Sequence, residues 1–322
     1  MGNNYINWGI IGCGDVAEIK SGPAFQKAKY SKLISVMRRN EDKVKDFAKR
    51  HNVPFCTTNA LDVLNDKNIN AIYIATPPSL HLEYALQAIK QGKYVYLEKP
   101  MVLNTSEAKT LVKVVKNNNS KLTVAHYRRH LPVFIKVKEL IESNTIGKVT
   151  HAKIKIAQSK NVSLIAKTED NWRVKPEISG GGYFHDIAPH QIDLMCYYFG
   201  GIDFVKGINV EKNRESNHLV EGIIQFKNGV SFEGSWCFNT KEDIDSCIIR
   251  GNKGIISFSF YNEFINVIVN GKEENYQFKT PKHVQQPMIQ ETINFFLGKN
   301  NNPCSVEEGL IITEIMDVFC GN

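Results

Sequence analysis

Over about the first 125 residues, short, mainly apolar runs take turns with stretches whose apolar residues recur every three or four positions. Trp8-Gly9-Ile10-Ile11, Leu33–Met37, Ala71-Ile72-Tyr73-Ile74-Ala75, Tyr94–Leu97 and Leu122–Ala125 are runs of the first kind. A strand buried on both faces of a parallel sheet needs such a run. Val44, Phe47, Ala48 and His51, then Leu82, Ala85, Leu86 and Ile89, then Ala108, Leu111, Val112 and Val115 have the spacing of one helix face. Ser79 stands where it would cap the second of these helices, and Gly92 where it would end it. These five runs and the helices between them predict a doubly wound parallel sheet.

The pattern changes after Leu131. Val133–Ile141 reads as one more helix, and Ala152, Ile154 and Ile156 then alternate with Lys153 and Lys155 as in a half-exposed strand. Asn228-Gly229 and Asn270-Gly271 each sit between strand-like runs, a strong local hairpin signal. The second half is therefore expected to be largely antiparallel. Gln290–Leu297 and Glu307–Phe319 read as helices. The expected fold is α/β: a dinucleotide-binding domain over 1–125, then a substrate-binding and oligomerisation domain over 126–322 built on a large, open, mainly antiparallel sheet. The helix at about 305–320 is a candidate to pack back on the first domain. Phe232, Trp236, Phe258 and Phe260 look like more apolar residues than one face of one layer needs, which predicts a half-apolar outer face and a homodimer or homotetramer.

Composition narrows the classes. No apolar run reaches membrane-spanning length and Met1–Asn7 is polar, so neither an anchor nor a signal peptide is expected. The 7 cysteines are widely spaced without a Cys-x-x-Cys pair, which suits a reducing cytoplasm and offers no metal site. The net charge of +7 is spread along the chain and predicts a mild attraction for anionic cofactors, with no nucleic-acid footprint.

Candidate chemistry collects at the ends of the predicted strands, where ligands bind in such sheets. Gly12-Cys13-Gly14-Asp15-Val16-Ala17 matches G-x-G-x-x-A. Gly12 permits the tight turn, Gly14 the approach of a pyrophosphate, and Ala17 close helix packing. Thr76-Pro77-Pro78, Glu98-Lys99-Pro100 and His126 follow the later strands. Lys99 is a candidate for charge stabilisation or proton transfer, with Pro100 restricting its backbone to extended geometry. In the second half, Gly180-Gly181-Gly182 leads into a helix on which Asp186, His190 and Asp193 share a face. A carboxylate one turn before a histidine orients the ring and raises its proton affinity. Pro189 interrupts this helix, which should kink there or begin late.

Three motifs in order, G-C-G-D-V-A at 12–17, E-K-P at 98–100 and G-G-x-x-x-D-x-x-x-H at 181–190, resemble the glucose–fructose oxidoreductase/inositol dehydrogenase (Gfo/Idh/MocA) family over nearly the whole chain. Asn171-Trp172-Arg173-Val174 resembles the W-R element of its 1,5-anhydrofructose reductase-like branch. The resemblance implies a Rossmann domain followed by an open-sheet domain. It also implies an NAD(P)-dependent dehydrogenase or reductase acting on CH–OH groups of sugars, anhydro-sugars or cyclitols. Lys99 would lie beside nicotinamide and substrate, His190 would move the proton, and Asp186 would position His190 or the substrate. Lys99 and His190 would then meet at the nicotinamide. The implied cofactor-binding set is Gly12, Cys13, Gly14, Asp15, Val16, Arg38, Arg39, Thr76, Pro77, His81, Glu98, Lys99, His126, Trp172 and Arg173, with no metal. Arg38 stands where NAD-preferring members carry an acidic residue, so NADP(H) is favoured over NAD(H). The resemblance leaves open an NAD-dependent glycoside hydrolase of the same family and a non-catalytic ligand sensor. Intact Lys99, Asp186 and His190 argue against the sensor.

Overall fold

The computed structural model describes residues 5–159, 171–211 and 219–321. In chain order the elements are β1 (Ile6–Ile11), a π-turn (Ala17–Ser21) continuing into α1 (Gly22–Lys27), β2 (Ser31–Met37), α2 (Glu41–Arg50), β3 (Phe55–Thr57), α3 (Ala60–Asn65) and β4 (Ala71–Ile74). They continue with α4 (His81–Lys90), β5 (Tyr94–Leu97), α5 (Thr105–Asn117), β6 (Leu122–Val124), α6 (Pro132–Glu142) and β7 (Val149–Ser159). Next come α7 (Pro176–Ser179), α8 (Tyr183–Phe199), β8 (Ile202–Glu211), β9 (Leu219–Phe226), β10 (Ser231–Thr240), β11 (Ile244–Gly251) and β12 (Gly254–Phe258). The last are β13 (Phe264–Val269), β14 (Lys272–Gln277), α9 (Gln286–Phe296) and α10 (Val306–Cys320). Two compact units emerge, one of residues 1–127 and 281–313, the other of 128–280 and 314–322. Among the described residues no helix is long and apolar enough to cross a membrane.

The first unit holds a parallel six-stranded sheet in the order β3-β2-β1-β4-β5-β6. The order reverses between β1 and β4, which is where a doubly wound sheet opens its binding crevice. β4 is buried along its whole length, as its unbroken apolar run requires. The expected doubly wound sheet is present. Its edge strand Phe55–Thr57 is mostly exposed and left no apolar run to read. One aromatic cluster centres the core: Trp8 lies 4.7 Å from Phe25 and 5.8 Å from Phe296, and Tyr73 lies 5.3 Å from Tyr96. Phe296 comes from α9, so residues far down the chain complete this core. Lys121 donates to the carbonyls of Phe295 (3.2 Å) and Phe296 (2.7 Å), satisfying acceptors at the end of α9. Ser79 does not cap α4. It lies in a 3-10 turn (Pro78–Leu80), and Leu80 precedes the helix without a side-chain cap.

The second unit holds an eight-stranded sheet in the order β14-β13-β12-β11-β7-β10-β9-β8. Its pairs are antiparallel except β7 with β10. Both Asn-Gly sequences turn hairpins, β9–β10 and β13–β14. Asn270 and Gly271 have φ of 50° and 78°, the left-handed pair that a tight turn between twisted strands favours. β9 alternates half-buried and buried positions, and its inner face packs against apolar side chains of α8 and α10. Phe232, Trp236, Phe258 and Phe260 are all buried within this unit, so they do not form the half-apolar outer face expected of them. The exposed large apolar residues include Phe204, Ile208, Phe264 and Ile268. α8 does not begin late: it runs unbroken from Tyr183 through Pro189.

Gly222 is the tightest point under Phe319. A Cβ there would lie well inside contact distance of three atoms of that ring. Gly222→Ala should therefore destabilise the protein by about 1–3 kcal/mol through overpacking, seen as a lower urea midpoint at unchanged m-value. An unchanged midpoint would mean that the ring shifts without cost.

Candidate functional site

In the first unit, the turn after β1 folds back on the neighbouring strand end. Gly12 has φ of 95°, and a Cβ on it would stand 2.8 Å from Ala75 C, Ala75 O and Thr76 N. Only glycine tolerates both conditions. Its N–H and that of Cys13 donate to Met37 O, at 2.9 and 3.1 Å. Above Gly14 the space is open, with nothing within 4 Å of where a Cβ would be. Asp15 is exposed and Val16 half-buried, and the helical turn from Ala17 starts without a side-chain cap. Burial pushes the Cys13 thiol up to about 12, against the lowering influence of Arg38, so it stays protonated. The half-buried Arg38 reaches the turn, its Nη1 donating to Cys13 O at 3.5 Å, while Arg39 is exposed beside it.

At the end of β4, Thr76 Oγ1 is buried and has no hydrogen-bond partner. A hydroxyl in that condition fits a polar ligand entering at the switch point, together with uncapped N–H groups and open space over Gly14. A dinucleotide phosphate suits this set of donors. Pro77 leads from Thr76 into the 3-10 turn. His81 is fully buried behind it. Its Nδ1 lies 2.9 Å from Pro100 O and 3.3 Å from Met101 O, and its Nε2 lies 2.8 Å from Thr76 O. The ring thereby sits between the loop after β4 and the loop after β5, and in its neutral form it donates to a carbonyl from one nitrogen. Burial lowers its pKa, against the opposing pull of these carbonyls and Glu98.

After β5, Glu98 is 6% exposed and turns its carboxylate into the protein, whereas Lys99 is half-buried. Lys99 N donates to Glu98 Oε2 at 3.1 Å. Glu98 Oε1 accepts from Tyr73 Oη and from Gln285 Nε2, each at 2.6 Å. His126 is buried just past β6. The carboxyl edge of this sheet therefore brings together the Gly12 turn, Thr76, Lys99 and His126. Neither Tyr73 nor Gln285 was marked by the sequence. Tyr73 lies inside an apolar run, and Gln285 is 187 positions from its partner.

In the second unit, Trp172 and Arg173 occupy a 3-10 turn. Arg173 is 5% exposed. Its Nε donates to Asp186 Oδ2 at 2.9 Å and its guanidinium lies 4.4 Å from the Trp172 ring centre. The resemblance gives Arg173 to the cofactor; the contact the structure records is with Asp186. Gly180, Gly181 and Gly182 have φ of 92°, 157° and 85°, a left-handed run that favours glycine at all three positions. Ser179 Oγ accepts from Gly181 N and Gly182 N, at 3.3 and 3.0 Å. From there α8 carries Asp186 and the buried His190. Asp193 is held by Arg129 in a fully buried pair, with Nη2 to Oδ1 at 2.7 Å and Nε to Oδ2 at 3.0 Å. Arg129 was not singled out in the sequence, because an Arg-Arg pair after a strand reads as solvated surface.

Residues 6–126 match the model of an oxidoreductase family with an NAD-binding Rossmann fold, and residues 134–257 match that of the GFO/IDH/MocA C-terminal domain. The chain is 62% identical to Oxidoreductase P35 of Formosa agariphila over 98% of both chains. It is 24% identical to 1,5-anhydro-D-fructose reductase of Ensifer adhaerens over 77% of this chain and 74% of that one. Among solved structures, levoglucosan dehydrogenase in complex with NADH and levoglucosan has a TM-score of 0.85 at 22% identity, covering 98% of this chain and 96% of that one.

His185, next to this set on α8, is buried, and burial lowers its pKa from 6.5 to about 4, against a raising influence of Asp317. The folded protein thus binds fewer protons than the unfolded chain between about pH 4 and 6.5. Stability should fall as pH drops through that window, by up to about 1.4 kcal/mol per pH unit from this ring. His185→Gln should flatten the dependence, measured as urea midpoints at several pH values across the window. An unaltered slope would place the proton elsewhere.

Proposed function

This chain belongs to the Gfo/Idh/MocA oxidoreductase family, and we propose that it moves hydride between NADP(H) and a carbonyl/alcohol carbon of a sugar, anhydro-sugar or cyclitol. The observation that carries the reading is the sheet edge of the first unit, where the Gly12 turn, an unpartnered Thr76 hydroxyl and Lys99 stand together. The substrate class is supported by relatives named for levoglucosan and 1,5-anhydro-D-fructose. A nicotinamide cofactor bound there would supply and recover the hydride.

The protein's own groups handle charge and proton. Lys99 brings an ammonium to the substrate oxygen, which gains negative charge as the carbonyl is reduced. His190 supplies the proton in reduction and removes it in oxidation. Asp186, tethered by Arg173, holds the polar side of α8 in place. Trp172 offers a ring face to a sugar or to the nicotinamide. A screen of sugars, anhydro-sugars, inositols and their keto forms with both cofactors tests the reading through absorbance at 340 nm. Hydrolysis of a glycoside without net absorbance change would replace it with the redox-neutral alternative.

Arg38 sets the cofactor preference in this reading. It follows β2 and reaches the dinucleotide turn, where a ribose 2′-phosphate would stand. A charge-assisted contact worth about 1.5–3 kcal/mol gives roughly a 10–100-fold preference for NADPH. Arg38→Asp should reverse most of it in side-by-side fluorescence titrations. Equal or tighter NADH binding by the unmutated protein would sink the assignment. His190→Ala should lower kcat by roughly 10²–10⁴-fold with cofactor affinity nearly unchanged, and wild-type turnover would remove it from the chemistry.

A further inference from the structure

Glu98 poses a physical problem that its sequence neighbours do not solve. Its carboxylate is 6% exposed, and a buried carboxylate must be met by donors. Two come from its own surroundings, Tyr73 Oη on Oε1 and the Lys99 amide on Oε2. The third is the side-chain amide of Gln285, at 2.6 Å on Oε1. Gln285 is itself fully buried and held at both ends. Its backbone N–H donates to Lys20 O at 3.2 Å, and its Oε1 accepts from Tyr96 Oη at 3.1 Å. A carboxylate can only accept, so the amide nitrogen must face Glu98 and the amide oxygen Tyr96. Ser21, at the end of the π-turn, donates to Tyr73 Oη at 3.0 Å. The same network thus reaches the helix that follows the dinucleotide turn.

With Oε1 fixed from two sides, Oε2 is left aimed at one N–H, that of Lys99. Residue 99 therefore leaves the strand end with its amide clamped, and its side chain departs from a fixed point. We propose that Gln285 is a positioning residue for Lys99, acting through the Glu98 carboxylate. The proposal rests on the reading of Lys99 as the group that stabilises charge on the substrate oxygen. It gives the segment returning from the end of the chain a part in that reaction beyond completing a core. Gln285 touches neither substrate nor cofactor in this role. Its effect is on where the ammonium stands, and a misplacement of about 1 Å is enough to cost up to 10²-fold in rate.

The test uses the full-length protein and three variants. Gln285→Met keeps the length and removes both hydrogen-bonding atoms. Gln285→Glu sets two carboxylates face to face. The double variant Glu98→Gln/Gln285→Glu restores a donor–acceptor pair in reverse. Hydrogen exchange at the Lys99 amide, read by mass spectrometry with residue-level fragmentation, needs no substrate. It should quicken by about tenfold or more in both single variants, with amides of β1 and β4 unchanged. The double variant should regain most of the protection. On the sugar that supports turnover, kcat should fall by about tenfold or more in Gln285→Met, with KM and the NADPH dissociation constant within about threefold. Unchanged exchange at Lys99, or faster exchange spread evenly over the whole sheet, would overturn the proposal. Faster exchange at Lys99 with full kcat would uphold the positioning and instead remove Lys99 from the chemistry. Should Gln285→Met fail to fold, Tyr96→Phe loosens the amide from its other end and is read by the same exchange measurement.

Discussion

An acid held out of water dictates what must surround it, and Glu98 and Asp193 organise their neighbourhoods in that way. Glu98 draws donors from β4, from its own loop and from a residue near the start of α9. Asp193 takes both Nε and Nη2 of Arg129, and Asp186 takes the Nε of Arg173. Leaving Glu98 or Asp193 without its partners would cost several kcal/mol, far more than a surface ion pair contributes. Each contact therefore ties two stretches of chain together, and in each the side chain that does so stands within one helical turn or one residue of a candidate site residue. Lys99 follows Glu98, and His190 lies between Asp186 and Asp193 on α8.

What could be read from the sequence was local. Mainly apolar runs marked five strands of the parallel sheet because burial on both faces leaves little room for polar alternation. Asn-Gly gave the hairpins because the turn needs left-handed conformations. The edge strand Phe55–Thr57 escaped because an edge can be exposed and still pair. Pro189 lies inside α8 without delaying its start. A proline inside a helix costs about 3 kcal/mol, and that penalty is set against tertiary burial, which a local rule does not count. On α8 nearly every residue from Phe184 to Met195 is buried, and Asp193 is anchored besides. Trp236 misled because its cover is remote in sequence: it looked surplus to one sheet face, and α8 and α10 supply Phe184 and Phe319 against it.

The candidate site divides along the same line. Gly12, Thr76, Lys99, Asp186 and His190 stood out because each belongs to a short motif whose chemistry needs those residues at that spacing. Their supports did not. Arg129 and Asp193 are 64 positions apart and Glu98 and Gln285 are 187 apart, with nothing in the intervening sequence to couple them. His81 is the intermediate case. Its place beside the site came from the family resemblance, but its setting among three carbonyls, and so its burial behind the loops, depends on where two strands end.

The return of residues 281–313 to the first unit has a consequence for synthesis on the ribosome. The first 127 residues emerge with their parallel sheet spelled out, yet Phe296 is missing from the aromatic core and Gln285 from the Glu98 carboxylate. About 150 further residues must be translated first, which at 5–20 residues per second takes roughly 8–30 s. During that interval the nascent sheet exposes the apolar surface that α9 later covers, so this protein should draw on chaperones while its amino-terminal half waits for the end of its own message.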